Sequence, residues 1–295
     1  MAEKWISTPS RTNEILDQYG LKAKKSLGQN FLIEPQILKS MMTIGEVDKA
    51  TDVIEIGPGI GALTEFLGTY GRRVLSYELD DRMLEVLSDQ LGEFDNITIK
   101  HQDILKADLK KDVLETFPDS KRLIVVANLP YYITTPILFE LLESDLPISA
   151  YVLMMQMEVA ERLTAQTGDK AYGSLSIATA YYGRATIEKK VPKTVFKPRP
   201  NVDSSILLLK RREEPLVQVK NEKAFFKLVR AAFAHRRKTL GNNLKYFFKN
   251  KREDLEKVRE ILDTIGIEDK RRGETLTIDE FAKMSNAFID ANLNP

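Results

Sequence analysis

Short apolar runs separated by amphipathic stretches fill the first two-thirds of the chain. Residues 52–56, 73–77, 96–101, 123–127, 149–155, 185–191 and 204–210 are β-branched or alternating, and between them 62–70, 83–91, 134–142, 156–163 and 174–182 carry apolar residues at helical spacing. Brief apolar strands interleaved with helices predict an α/β sheet, mostly parallel and covered on both faces. Earlier in the chain, a helix over 12–19 closes at Gly20 and another begins at Pro35. Thr135 is expected to cap the helix that follows the fourth strand, with Pro136 at its first helical position. Beyond the charged junction at residues 210–215 the period of two disappears. Helical periodicity continues over 223–234, 235–248 and 253–265, and a last helix is announced by Thr277 and Glu280 as a capping box. The pattern divides the chain into an α/β domain over 1–212 and a small all-helical domain over 213–295.

Composition narrows the chemistry. The chain has no cysteine and only two histidines, His101 and His235, so disulfides, thiolate ligands and a histidine metal site are not expected. No apolar run reaches the roughly 18 residues of a membrane span, and the first residues are polar, so a cytoplasmic protein is expected. The net charge of +1 hides an asymmetry: from Lys220 to Arg252 there are eleven Lys and Arg against one acid, Glu222. A solvated helical face would explain isolated charges, but so sustained an excess suits phosphates.

The strand ends carry the candidate chemistry. The first strand runs into Gly57-Pro58-Gly59-Ile60-Gly61 and then a helix, an arrangement that lets backbone approach a ligand closely and aims a helix N-terminus at it. Gly57, Gly59 and Ala62 also satisfy a dinucleotide fingerprint, which keeps NAD open. Glu55 before the turn and the third glycine pull the other way, in a form that resembles S-adenosylmethionine sites. Glu78 ends the second strand, 21 residues after Gly57, where a carboxylate accepts both ribose hydroxyls. Asp80 and Asp81 are assigned to the start of the next helix. Asp103, after the third strand, is placed to accept an adenine amino group. The fourth strand ends in Asn128-Leu129-Pro130-Tyr131, where Pro130 stiffens the turn and an amide beside a ring suits a planar base. An ordinary strand-to-helix loop is the alternative for these four residues. Lys22, Lys24 and Lys25 precede Gly28-Gln29-Asn30, either as a solvated loop or as a basic flap carrying Asn30 over a ligand. Two prolines make the connector around Phe196 extended, and Phe196 suits core packing and a pocket mouth equally.

Together, Lys25-Ser26-Leu27-Gly28-Gln29-Asn30-Phe31-Leu32, Glu55-Ile56-Gly57-Pro58-Gly59-Ile60-Gly61, Asn128-Leu129-Pro130-Tyr131-Tyr132, residues 196–203 and Ala232-Phe233-Ala234-His235-Arg236-Arg237-Lys238-Thr239-Leu240 resemble the ribosomal RNA adenine dimethyltransferases of the bacterial small-subunit type. The resemblance implies a class I, Rossmann-like methyltransferase sheet of seven strands with a small all-helical C-terminal domain. It implies S-adenosylmethionine as cofactor, contacted by Asn30, Leu32, Gly57, Glu78, Asp103 and Asn128, with Gly59 joining them from the glycine turn. Asn128, Leu129, Pro130, Tyr131 and Phe196 are then the catalytic, adenine-holding set. Lys22, Lys24, Lys25, Arg236, Arg237 and Lys238 are the expected RNA contacts. The implied reaction is dimethylation of N6 on two adjacent adenines in the 3′-terminal hairpin loop of 16S rRNA, within an assembling 30S subunit, by a monomeric enzyme. The alternatives are a large-subunit methyltransferase of the macrolide-resistance type and a non-catalytic RNA-binding assembly factor.

Overall fold

The computed structural model describes residues 5–24, 27–130, 133–249 and 251–293. It divides into two compact units, Met1–Ala160 with Thr186–Arg211, and Glu161–Ala185 with Arg212–Pro295. The sequence pattern places residues 161–185 with the sheet, but their contacts group them with the C-terminal helices.

In the first unit α1 (Pro9–Gln18), β1 (Phe31–Leu32) and α2 (Pro35–Ile44) lead into β2 (Asp52–Ile56), α3 (Ala62–Tyr70), β3 (Arg73–Glu78), α4 (Arg82–Leu91) and β4 (Ile97–His101). Next come α5 (Leu109–Thr116), β5 (Leu123–Asn128), α6 (Thr134–Glu143) and β6 (Ile148–Gln156). Across the junctions between units the chain forms α7 (Met157–Thr164), α8 (Ser174–Tyr182) and β7 (Gly183–Val191), then β8 (Phe196–Lys197) and β9 (Ser204–Arg211). Seven strands make one sheet in the order β4-β3-β2-β5-β6-β9-β7. β2 to β6 pair in parallel, and β9 runs antiparallel to β6.

Every residue of β2 and all of β5 before Asn128 are buried, as strands covered on both faces must be. β2 has β3 on one side and β5 on the other, so successive connections leave it in opposite directions. Such a switch point opens a crevice at the carboxyl ends of the strands. Gly57 and Leu129, the residues that follow these two strand ends, lie on its rim. The opposite end is fixed by Asp52, fully buried, which accepts two 2.9 Å hydrogen bonds from Arg73. That fork is charge-assisted and bidentate, and it ties β2 to β3 where their register begins.

Two local expectations change. The α6 helix starts at Thr134, with Ile133 in the cap position, so Thr135 is not the cap and Pro136 sits third in the helix. The Thr134 hydroxyl donates to the Pro130 carbonyl at 3.0 Å and draws the helix start forward. Pro136 is tolerated because first-turn amides have no intrahelical acceptor. The connector around Phe196 is not simply extended. A 3-10 turn at Lys193–Val195 precedes β8, which pairs antiparallel with β1.

The second unit is helical through α8, α9 (Glu222–Ala232), α10 (Leu240–Phe247), α11 (Arg252–Ile265) and α12 (Ile278–Asp290). Its aromatic core joins Tyr181, Tyr182, Phe225 and Phe226, with ring centroids 4.9–5.5 Å apart. The two tyrosine hydroxyls donate to the Glu222 carboxylate at 3.1 and 2.5 Å, satisfying their polar ends inside an apolar cluster. Gly266 closes α11 in the left-handed region at φ 73°, and Thr277 with Glu280 forms the capping box that opens α12.

Candidate active site

The glycine turn after β2 is held by its own backbone. Gly57, Gly59 and Gly61 all have positive φ, at 68°, 58° and 92°, which a side chain would strain. Gly57 N–H donates to the Tyr77 carbonyl at 2.9 Å, and Gly59 N–H donates to Glu78 Oε2 at 3.0 Å. Glu78 Oε1 accepts the Asp80 N–H at 2.8 Å, so both carboxylate oxygens are fixed while the residue is 6% exposed. Burial pushes the Glu78 carboxyl up from its ordinary range, and the two amides oppose that shift. A desolvated, oriented carboxylate with lone pairs to spare is what two ribose hydroxyls require.

The wall facing the turn is the segment 27–32. Asn30 Nδ2 donates to the Gly28 carbonyl at 2.9 Å, and Phe31 lies 3.5 Å from where a Cβ on Gly59 would stand. β1 holds the segment by pairing Leu32 with Phe196, extended by Ile33 N–H to the Val195 carbonyl at 2.9 Å. Asp80 fastens the segment from the other side. The sequence reading gave Asp80 to the start of α4, but it is 2% exposed and accepts from Gln29, Lys24 and Arg82 instead. The Arg82 guanidinium beside it holds its carboxyl well below the usual carboxylate range. Asp81, at the N-cap position of α4, makes no side-chain cap bond.

Asn128 ends β5 across the switch point. Leu129 N–H donates to the Met154 carbonyl at 3.0 Å, and the Pro130 carbonyl accepts from Ile133 N–H at 3.3 Å, so the Leu129-Pro130 turn is pinned at both ends. Asp103 ends the loop after β4, accepting Leu105 N–H at 3.1 Å. One cleft of about 1050 Å³, counting its open mouth, brings together Asn30, Leu32, Gly57, Gly59, Glu78 and Asp103. Asn128, Leu129 and Pro130 line the same cleft. Leu38, Ile133 and Met154, which no motif marked, complete its apolar wall. Phe196 is not among the residues lining it and is 3% exposed within the core cluster of the sheet unit. Tyr131 and Lys25 lie outside the described residues.

The ribosomal RNA adenine dimethylase model matches residues 20–284. The chain belongs to that family. It is 54% identical to the ribosomal RNA small subunit methyltransferase A of Staphylococcus epidermidis over 284 residues, 96% of each chain. It is 53% identical to the protein of that name from Staphylococcus aureus strain Newman over 281 residues, 95% of each. Among solved structures, a dimethyladenosine transferase from Plasmodium falciparum superposes with TM-score 0.73 at 25% identity, covering 88% of this chain and 98% of that one. The 23S rRNA methyltransferase ErmE gives 0.62 at 27% identity, with 88% and 99% covered. The sheet is therefore that of a class I methyltransferase, and the dinucleotide alternative falls away. S-adenosylmethionine is the family's cofactor, and the cleft fits it. A buried carboxylate stands for the ribose, a side-chain-free turn allows close approach, and apolar walls suit an adenine.

Beneath the turn, the fully buried Glu55 accepts from the Ser76 hydroxyl at 2.6 Å through Oε2, while Oε1 has no partner among the described residues. Burial pushes this carboxyl up from 4.5 to about 7. The folded protein therefore binds the proton more tightly than the unfolded chain does, and stability falls as pH rises from 4.5 to about 7. Denaturant titrations at about pH 5 and about pH 8 should show wild type losing stability at the higher pH and Glu55→Gln losing much less. Equal pH dependence in both proteins would remove Glu55 as the cause.

The basic residues of this dimethylase divide. Lys22 is exposed, whereas Lys24 Nζ is bonded to Asp80 at 3.1 Å. In the helical unit Arg236, Arg237 and Lys238 are all exposed on the turn between α9 and α10. That turn is clasped by Asn243, 1% exposed, which donates to the carbonyls of Ala232 and His235 at 2.9 and 3.3 Å and accepts His235 N–H at 3.2 Å. Arg236 also donates to the Lys170 carbonyl at 2.5 Å. Sequence reasoning missed Asn243, since a buried asparagine among polar neighbours leaves no pattern.

Proposed function

We propose that this chain methylates N6 of two adjacent adenines, twice each, in the 3′-terminal hairpin loop of small-subunit rRNA. It acts as a monomer on an assembling subunit in the cytoplasm. The observation that carries the proposal is the meeting of Asn128, Leu129 and Pro130 with the glycine turn, Glu78 and Asp103 in one cleft at the switch point. The small-subunit name of the relatives at 53–54% identity favours this target over the large-subunit reading.

S-adenosylmethionine, when bound, supplies an electrophilic methyl group on a sulfonium centre. Glu78 accepts the ribose hydroxyls, Asp103 the adenine amino group, and Asn30, Leu32, Gly57 and Gly59 shape the walls. The target's N6 is a poor nucleophile because its lone pair is delocalised into the ring. In the first transfer Asn128 Oδ1 and the Leu129 carbonyl accept its two N–H groups and turn that lone pair toward the methyl; in the second, one of these acceptors takes the single N–H that remains. The Leu129 carbonyl does not have to reorganise, because the turn is already pinned to Met154 and Ile133. The proton of the methylated amine leaves to solvent afterwards, so no histidine or cysteine base is needed. Pro130 and Tyr131 hold the flipped base, and hairpin loops make unstacking cheapest. Phe196, buried beside β1, supports that strand by packing.

Lys22, Lys25 and the Arg236-Arg237-Lys238 turn meet rRNA phosphates. Arg236→Glu with Arg237→Glu should weaken RNA binding about tenfold or more and lower the salt slope by about two, leaving cofactor affinity intact. Titration at several salt concentrations checks this, and an unchanged slope would mean the pair is structural. Target choice is tested by offering unmethylated small- and large-subunit rRNA with tritiated cofactor: label should enter the small-subunit RNA, and label in the large-subunit RNA alone would overturn the proposal.

A further inference from the structure

The Asp80 carboxylate is almost completely buried and takes no part in the chemistry above. Three partners meet it. Arg82 donates through Nε at 3.0 Å and through a terminal nitrogen at 2.6 Å, Gln29 Nε2 donates at 2.8 Å, and Lys24 Nζ at 3.1 Å. Gln29 Oε1 in turn accepts the Lys24 N–H at 2.9 Å, which closes the segment on itself. The backbone of Asp80 donates to Glu78, the carboxylate assigned to the ribose. One residue thus joins the cleft wall over 27–32 to the group that grips the cofactor.

We propose that Asp80 is a positioning residue, and that its bond to Gln29 is the latch holding the 27–32 wall over bound S-adenosylmethionine and setting how fast cofactor and its demethylated product leave. The partners are unequal in a way that makes the latch reversible. Arg82 belongs to α4 and stays with Asp80 when the wall lifts, so the buried charge keeps a two-pronged partner and is never left bare. Lys24 is 42% exposed, so its ion pair is screened and adds little. If residues 27–30 lift while β1 keeps its pairing with β8, the cost is chiefly the charge-assisted hydrogen bond of Gln29, with the longer contacts from Arg82 to Gln29 Oε1 at 3.5 Å and to the Lys22 carbonyl at 3.3 Å lost beside it. Such a bond slows release by about tenfold or somewhat more without trapping the product. The inference rests on the dimethylation reading, in which every methyl transfer consumes one cofactor and product must leave repeatedly while the RNA target is at hand.

Release of tritiated S-adenosylmethionine into an unlabelled chase tests it, using the full chain as wild type, Gln29→Ala, Asp80→Asn, the double variant and Gln29→Lys. Gln29→Ala should release about tenfold faster than wild type. The double variant should be no more than about twofold faster than Asp80→Asn alone, because both changes break the same bond. Gln29→Lys, which returns a donor to Asp80, should restore slow release, something a general loss of folding would not do. Wild-type release from Gln29→Ala, fully additive effects in the double variant, or no recovery in Gln29→Lys would each overturn the latch. Failure of wild type to bind the cofactor at all would instead overturn the reading on which it rests.

Discussion

Asn128→Ala is expected to slow methyl transfer about a hundredfold, a barrier increase of about 3 kcal/mol, while cofactor binding changes much less. The asymmetry follows from where the side chain acts. Asn128 is the last residue of β5, on a backbone that is buried up to that point, and it lines the cleft. Losing it removes one of the two acceptors that localise the N6 lone pair, an interaction that strengthens as positive charge develops on nitrogen. The Leu129 carbonyl remains, tied through its own residue's N–H to Met154, which is why the loss is not complete. Single-turnover transfer of a tritiated methyl group at saturating cofactor reads the effect, and a wild-type rate would sink the assignment.

Glu78→Ala should weaken S-adenosylmethionine binding by about a hundredfold or more, roughly 3 kcal/mol, with the effect in affinity and not in the rate once cofactor saturates. Two sets of donors lose their acceptor together: the N–H groups of Gly59 and Asp80, which the carboxylate now holds, and the ribose hydroxyls it is placed to receive. The apo protein should suffer less than the complex. The buried charge is itself costly, as the upward push on its carboxyl shows, and removing it relieves part of that cost. Calorimetric titration distinguishes the two, and a wild-type dissociation constant would show that the ribose lies elsewhere.

Much of the fold was legible because β2, β3, β5 and β6 are buried on both faces and leave nearly continuous apolar runs. The α3 helix falls at residues 62–70 as the periodicity predicts, and the end of α11 at Gly266 was marked by the one residue type that enters the left-handed region freely. The strand-end residues were legible for a related reason. Glycine spacing, a carboxylate after a strand and Asn-Leu-Pro are local features, and local features survive in a sequence. The Asp80 network was not legible, since it joins residues 51 and 56 positions apart and its acid sits where helix starts ordinarily carry one. Phe196 was open between core and pocket mouth because aromatic rings serve both. Its pairing with Leu32, far away in the chain, helps place it in the core cluster. The grouping of residues 161–185 with the C-terminal helices depends on contacts such as Tyr181 with Phe225, which periodicity cannot register.

The central claim is that the edge where β2 and β5 part is where cofactor and flipped adenine meet. Its most direct test is nucleoside mass spectrometry of unmethylated small-subunit rRNA particles after incubation with the protein and S-adenosylmethionine, run beside Asn128→Ala. The account predicts N6,N6-dimethyladenosine at two adjacent positions with wild type and its near absence, at equal times, with the variant. Dimethyladenosine formed equally by both proteins, or methyl groups on another atom, would contradict it.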